Sequence, residues 1–517
     1  MDRVSGITIS KFKHMKRLKN ILGIVAALFI AQPIYAQVVP GAAGYYNDAL
    51  LFSNTQYGAS ARVLGIGGAQ MSLGGDISNI SGNPAGLGFI RRSEISFSPS
   101  FSGFGSDSNY LGFNDSDNAS NFNIGNLGLV ISNVKDPLQL GKWRGGSFGI
   151  GYSRMRNFRN NQRYVGENGV SSIIDSFVEQ GSGISPSEIG GFGLAGAAYN
   201  SYLIDPDPNF PNEYIPFTLA PPFQSELIET RGRIDDINFS YGGNYDNKVF
   251  FGASIGISSL NYSINNQFSE SFDDPAISGF NIDETLAING TGVNATVGVI
   301  VKPIHWLNLG ATIKTPTTYR LSEESFGRID AFYNNFEYQF INEDGDLESI
   351  FLNDEFGETP VFVSDYRITT PMRINTSATL FAGKFGFVSA DVEFVDYTRM
   401  RINSRDFSPR EDNQTIRNIY QNTINYRLGG EFRYDMFRLR AGYNIQGDPY
   451  ADSDYDRSVQ AISFGAGLKF QNYYVDFAFV NTKFNTLYSP YSTSFDTPVA
   501  EFENRINSGI LTVGFNF

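Results

Sequence analysis

From about residue 93 onward, apolar side chains recur at every second position. Ile424, Tyr426, Leu428 and Phe432 alternate with Asn425, Arg427, Gly429, Glu431 and Arg433. Ile462, Phe464, Ala466, Leu468 and Phe470 alternate with Ser463, Gly465, Gly467 and Lys469. Val293, Ala295, Val297, Val299 and Val301 alternate with Asn294, Thr296 and Gly298, and Leu511, Val513, Phe515 and Phe517 with Thr512, Gly514 and Asn516. A period of two is the period of a β-strand. The two sets cannot share one hydrophobic core: one wants hydrocarbon, the other water or a polar filling. The pattern predicts strands over 93–101, 123–132, 146–156, 234–242, 248–262, 290–301, 306–320, 366–382, 386–400, 422–434, 437–447, 458–470, 473–484 and 508–517. That makes an even set of fourteen, each long enough to cross a bilayer when tilted.

The connections support the same reading. Tight turns are predicted at 243–247, 302–305, 383–385, 435–436 and 471–472, with a somewhat longer link at 133–145. Between them fall long segments at 102–122, 157–233, 263–289, 321–365, 401–421, 448–457 and 485–507. Short turns on one side and long loops on the other are the asymmetry of outer-membrane barrels. Aromatics flank the tight turns (Tyr434 and Phe437, Phe470 and Tyr473, Trp306), as expected of an interfacial girdle. The predicted fold class is therefore all-β, a 14-stranded antiparallel transmembrane barrel occupying 93–517.

The N-terminal residues differ. Lys11, Lys13, Lys16, Arg17 and Lys19 precede an apolar core from Ile21 to Ile30, followed by Gln32, Pro33 and a small residue, Ala36. That core is too short to span, so residues 1–36 read as a secretory signal peptide. Six basic residues and one acidic residue lie in it, which leaves 33 basic against 52 acidic residues, a net charge of −19. Such a balance argues against nucleic-acid binding. Residues 37–92 do not alternate cleanly and are rich in glycine. They precede the first strand and are expected to plug the lumen.

Composition then removes whole classes of chemistry. There is no cysteine, so neither a disulfide framework nor a thiolate metal site exists. His305 is the one histidine beyond the signal peptide and falls in a predicted turn, which disfavours an axial haem ligand and a serine–histidine hydrolase. The expectation is a non-enzymatic protein with no cofactor and no metal. The acidic run Asn342 to Glu348 holds half of a calcium loop without its full spacing and reads as a solvated loop. The loop 157–233 is unusually apolar. Its stretch Ser171 to Glu179 predicts a short amphipathic helix, and the loop reads as a landing site for a greasy ligand, a lid over the barrel mouth, or both.

Several motifs carry a resemblance. Asp48-Ala-Leu-Leu-Phe-Ser-Asn-Thr-Gln-Tyr-Gly, then Gly67-Gly-Ala, Leu73-Gly-Gly-Asp-Ile-Ser and Asn83-Pro-Ala-Gly-Leu-Gly resemble the hatch of the FadL/TodX outer-membrane transporters, in particular the OmpP-like branch often labelled "hemin receptor". Gly298-Val-Ile-Val-Lys-Pro, Thr315-Pro-Thr-Thr-Tyr, Ser389-Ala-Asp-Val-Glu-Phe-Val-Asp-Tyr, Arg438-Leu-Arg-Ala-Gly-Tyr and Tyr474-Val-Asp-Phe-Ala-Phe-Val extend it to nearly all of 45–517. The resemblance implies a hatch-plugged barrel in the outer membrane of a Gram-negative cell. It implies passive passage of long-chain fatty acids or other hydrophobic compounds, with lateral release into the bilayer. Its hatch motif maps onto Asn83, Pro84, Ala85 and Gly86, the candidate gating element. Expected partners are a hydrophobic small molecule, outer-membrane lipid and the barrel-assembly machinery, which would read the terminal Phe517.

Arg427, Glu431, Arg438, Arg440 and Lys469 fall on the lumen phase and are candidate polar contacts, with Asp391 and Glu393 as further members. An arginine there either grips a ligand carboxylate or pairs with another lumen charge or the plug. Two rival readings are a barrel of the type IX secretion system that binds cargo signal domains, and a structural or adhesive barrel.

Overall fold

The computed structural model describes residues 44–517 except 56–57, 136–140, 342–346 and 453. The expected signal peptide, the first residues of the expected plug and most of the acidic run from Asn342 lie outside the described residues.

Fourteen antiparallel strands form one closed sheet. They are β1 Glu94–Tyr110, β2 Phe113–Val134, β3 Trp143–Asn157 continued by Asn160–Glu167, β4 Phe223–Tyr245, β5 Val249–Ser271 and β6 Ile277–Ile304. Then come β7 Leu307–Lys314 continued by Thr318–Ile341, and β8 in three stretches, Leu347–Glu358, Phe362–Thr369 and Arg373–Phe381. The last are β9 Gly386–Asp396 with Arg401–Ser404, β10 Asn422–Tyr434, β11 Phe437–Gln446, β12 Val459–Lys469, β13 Tyr473–Tyr488 and β14 Ala500–Asn516. Each pairs with its neighbours in sequence, and β14 closes on β1 from Glu94 opposite Asn516 to Tyr110 opposite Ala500. Closure satisfies the backbone all round the sheet, the condition for a sheet in hydrocarbon, except at one interruption between β2 and β3 described below.

All fourteen predicted strands are present, and most are longer than predicted. The expected loop 102–122 is mostly strand: β1 and β2 pair up to Tyr110 opposite Phe113 around a turn at Leu111 and Gly112. The expected loops 263–289 and 321–365 are largely strand as well. The reason lies in β5. Phe251, Ile255 and Ile257 face outward and are exposed, as a lipid face requires. Beyond Ile257 the outward positions turn polar (Ser259, Asn261, Ser263, Asn265), while inward Leu260, Tyr262, Ile264 and Phe268 are buried. The strand keeps its register and swaps which face is apolar, because its outer face has passed from lipid into water. The same exchange occurs on β6, from outward Val293, Val297 and Val301 to inward Ile288, Leu286 and Ile282. The apolar outward belt thus marks the membrane-spanning part of a taller barrel.

The segment 168–222, within the expected loop 157–233, folds over the inner face of these extensions. It carries α3 Ile173–Gly181, a helix α4 Gly193–Asn200 and a two-stranded ribbon, Ile204–Asp207 with Phe210–Pro216. (The helices α1 Tyr46–Ser53 and α2 Ala61–Leu64 lie in the N-terminal segment, below.) The predicted amphipathic helix is α3. Ser172 caps it in a capping box with Asp175. Its apolar side (Ile173, Ile174, Phe177) joins Ala197, Ala198, Phe280, Ile329 and Leu352 in a buried cluster. That packing covers the mouth, one of the two compatible expectations for this loop.

Candidate functional site

The N-terminal segment 44–90 is threaded through the lumen. It contains α1 Tyr46–Ser53, a short α2 Ala61–Leu64 and two 3-10 turns, Ile77–Ile80 and Pro84–Phe89. Polar side chains start each of the last three: the Ser60 hydroxyl accepts from Val63 N, Asp76 from Ser78 N and Asn83 from Ala85 N. Pro84 follows at the first position of its turn, where its missing N–H costs nothing. The segment meets nearly every wall strand. Ala61 N donates to Thr512 Oγ1 of β14 at 2.7 Å, Gly67 N to Ser463 Oγ of β12 at 3.0 Å, and Gln70 N to Asp391 Oδ2 of β9 at 2.8 Å. Ser240 of β4 donates to Ile80 O at 2.6 Å. Wall glycines admit its backbone: a Cβ on Gly442 would meet Gly67 N at 2.1 Å, and one on Gly252 the Pro84 carbonyl carbon at 2.4 Å.

The expected gating element sits in this contact. Asn83 is fully buried, and its amide nitrogen donates to Met71 O at 2.5 Å. Pro84 presses on Gly242 and Gly252 of neighbouring strands, Ala85 packs with Phe250 and Ile300, and Gly86 lies against the Asn79 amide. The motif is therefore pinned between the segment and β4, β5 and β6.

The expected lumen charges divide into two groups. Glu431 accepts from Arg440 Nε at 2.7 Å, Arg433 Nε at 2.7 Å and Arg62 Nε at 3.3 Å. Arg440 also holds Asp476 at 2.6 Å, and Arg62 holds Asp76 at 3.4 Å. Three guanidiniums and three carboxylates thus balance, and two of the six belong to the N-terminal segment. Deeper in, Arg427 and Arg373 share Glu393 at 3.2 and 3.0 Å. Arg438 instead turns to the backbone of its hairpin, donating to Asp435 O and Phe437 O, and Lys469 stands exposed at the strand end. Sequence reasoning missed Arg62, Asp76, Arg373 and Asp476. Asp476 shares the inward phase of β13 and was legible by alternation. Arg62 and Asp76 lie where no period exists to read.

Guanidiniums also hold α1. Arg373 donates to Ser53 O at 2.5 Å, and Arg156 to Leu51 O at 3.0 Å and to Asn54 O. Cations at the unpaired carbonyls of a helix C-terminus are the favourable arrangement. Beside α1 is a cavity of about 190 Å³ lined by Leu50, Leu51, Tyr262, Ile264 and Leu286, with Asp48, Glu323 and Arg156 as its charged groups. None of the five expected lumen contacts lines it. Burial, with Glu323 of β7 and Asp412 of a helix α5 (Arg410–Ile419) nearby, pushes the Asp48 carboxyl up to about 8, and the Tyr366 hydroxyl of β8 donates to it at 2.9 Å. A carboxyl neutral when docked and ionised when released favours docking below the ordinary carboxylate range. That preference is lost as pH rises towards 8. The barrel's thermal midpoint should therefore fall between pH 5 and pH 8, and Asp48→Asn should flatten that slope; an unchanged slope in the variant would remove Asp48 from the account.

The wall is incomplete next to this cavity. The β2–β3 ladder runs from Val134 opposite Gly145 to Asn126 opposite Ser153 and ends there. Beyond it β2 continues to Phe113 paired with β1 alone. β3 breaks register at Arg154–Arg156, and its continuation turns inward, where buried Tyr164 lies 4.4 Å from Tyr110 between ring centroids. Asn121 Nδ2 to Asn157 Oδ1, at 3.0 Å, and Arg159 Nε to Ser120 O, at 2.8 Å, are side-chain bonds across the interruption. Outward Phe122 and Ile124 put it within the lipid-facing belt.

Fold and site together define a lumen-filled, 14-stranded membrane barrel. No protein-family model and no curated protein matches the chain. Solved structures do. A Pseudomonas aeruginosa FadL homologue matches with a TM-score of 0.56 at 12% identity, covering 89% of this chain and 98% of its own. The P. putida toluene transporter TodX matches with a TM-score of 0.50 at 14% identity (89% and 99% covered), and the Ralstonia pickettii toluene transporter TbuX with 0.50 at 13% (89% and 99%). The fold is the FadL/TodX barrel.

Proposed function

We propose that this barrel is an outer-membrane channel for small hydrophobic molecules, with residues 44–90 as its hatch and Asn83 to Gly86 as part of the gate. The observation that carries the reading is the juxtaposition of the apolar cavity at α1 with the interrupted β2–β3 ladder. Arg156 of β3 both lines that cavity and holds α1 beside the gap. A hydrophobic molecule in the cavity has a short path into hydrocarbon that avoids the polar cluster around Glu431, which it would have to desolvate. The shared fold with toluene transporters and a FadL homologue supports the same class of cargo. The fatty-acid reading adds a carboxylate, which Arg156 is placed to meet. Passage needs no energy source, because the cargo partitions downhill into lipid.

Because the chain has no native cysteine, a single engineered pair tests the exit. Asn121→Cys with Asn157→Cys, oxidised or joined by a short bifunctional thiol reagent, should cut uptake of radiolabelled toluene and oleate into cells at least about tenfold, with recovery in reductant for the disulfide. Undiminished uptake by the joined form would exclude this gap as the route.

A further inference from the structure

One row above the belt, the outer face of β7, β8 and β9 carries a cluster of arginines that the channel reading does not use. Arg320 stands directly opposite Arg367 in the β7–β8 ladder, and Arg367 opposite Asn403 of β9. Like charges at directly opposed sheet positions repel. All three residues are exposed, as is Arg405 beyond them. Among the described residues the side chains of Arg320, Arg367 and Arg405 make no ion pair or hydrogen bond, although the chain carries a net −14 and has acidic partners to spare. They line an open concavity of about 690 Å³ together with Asn289, Ser322 and Asn403. Asp365 and Asp406 share it, but one oxygen of Asp406 is already engaged by Asp365 N at 2.7 Å, so the arginines outnumber the carboxylates three to two.

The height of this concavity decides what fills it. Thr291 of β6 faces Arg320, and Val293, an exposed lipid-facing side chain of β6, faces Thr318. One outward row, roughly 5–7 Å along a tilted strand, therefore separates the arginines from hydrocarbon. That is the depth of lipid headgroups. Guanidiniums match phosphate in bidentate geometry. Asn289, Ser322 and Asn403 add groups suited to sugar hydroxyls, and the concavity is much larger than a phosphate ion.

We propose that this face binds the phosphorylated sugar headgroup of a lipid in the outer leaflet, with Arg320, Arg367 and Arg405 on the phosphate and the acyl chains lying on the apolar belt below. The proposal rests on the membrane reading of the barrel. It is independent of the cavity, the hatch and the exit.

The test uses the purified full barrel and three probes: a diphosphorylated glucosamine-disaccharide lipid, its dephosphorylated form and inorganic phosphate. Native mass spectrometry should show the phosphorylated lipid retained by the parent protein, the dephosphorylated lipid not retained, and no displacement by excess inorganic phosphate. The R320Q/R367Q/R405Q variant should retain the phosphorylated lipid at least about tenfold less, while still showing the heat-dependent gel shift of a folded barrel. Equal retention by the variant or by the dephosphorylated lipid would overturn the site, and displacement by inorganic phosphate would make it a site for the ion alone. Flotation with phosphatidylethanolamine vesicles distinguishes loss of this site from loss of membrane association. A parent protein that floats but retains no phosphorylated lipid refutes this site, whereas one that fails to float refutes the membrane reading beneath it.

Discussion

A barrel lacking residues 44–90 will conduct ions where the intact chain is nearly closed. Fourteen strands at the tilt usual for such barrels enclose a backbone cylinder about 28 Å across, too wide for inward side chains alone to fill. In the intact protein that width is occupied by the N-terminal segment, whose backbone touches β4, β9, β12 and β14. The wall does not depend on it for closure, since β1 and β14 pair along their length. Planar-bilayer recordings should therefore show conductance raised at least about tenfold, with the folded barrel retained. Unchanged conductance would remove the plugging role from this segment and leave the mouth cover at 168–222 as the barrier.

Neutralising Glu431 should be the most damaging single substitution in the lumen. Glu431 takes three guanidiniums at 2.7, 2.7 and 3.3 Å, and both Glu431 and Arg440 are almost fully buried. Without it Arg62, Arg433 and Arg440 converge with two carboxylates left among them. Removing one partner from such a buried arrangement costs about 3–5 kcal/mol. The cost falls on the docking of the N-terminal segment, because Arg62 is its ion-paired link to the wall, beside the Ala61 backbone bond to Thr512. Glu431→Gln, which keeps the volume, should lose nearly as much as Glu431→Ala. In both, trypsin should cut after Arg62 while the barrel stays folded; equal resistance of the parent and variants would mean that backbone contacts alone hold the segment.

The barrel was legible in the sequence wherever a strand meets lipid. Period two with an apolar outer face is a strong signal when it recurs on strand after strand, and the tight turns at 435–436 and 471–472 follow from it. Beyond the belt the signal does not vanish; it reverses. Leu260, Tyr262 and Ile264 are apolar on the phase opposite to Ile255 and Ile257, so a rule that fixes the apolar face outward ends the strand at the crossing and reports a loop. The site was harder. Arg427, Glu431 and Arg440 were found because they sit on strands of known phase. Asp48, Arg62 and Asp76 lie in a segment whose conformation is set by the walls it touches, and Arg156 lies at a register break, where counting by twos fails. The interruption between β2 and β3 leaves no mark in composition at all: it is a missing pairing, visible only when both strands are in place.

The reversal of the apolar face also sets how far the mouth stands from the hydrocarbon belt. A strand as long as β6, with 28 residues, rises roughly 70 Å along the barrel axis at the usual tilt, of which the hydrocarbon belt takes about 25 Å. Most of the remainder is a chimney whose inner apolar face is packed by 168–222, with an outer face that is polar on β5 and β6. A molecule that dissolves poorly in water would be met well above the lipid surface, past any crowded layer of surface sugars that slows its approach to the bilayer. Shortening β5 and β6 by matched hairpin deletions, with the belt untouched, would then slow capture most in cells that carry the longest surface polysaccharide, and least in cells stripped of it.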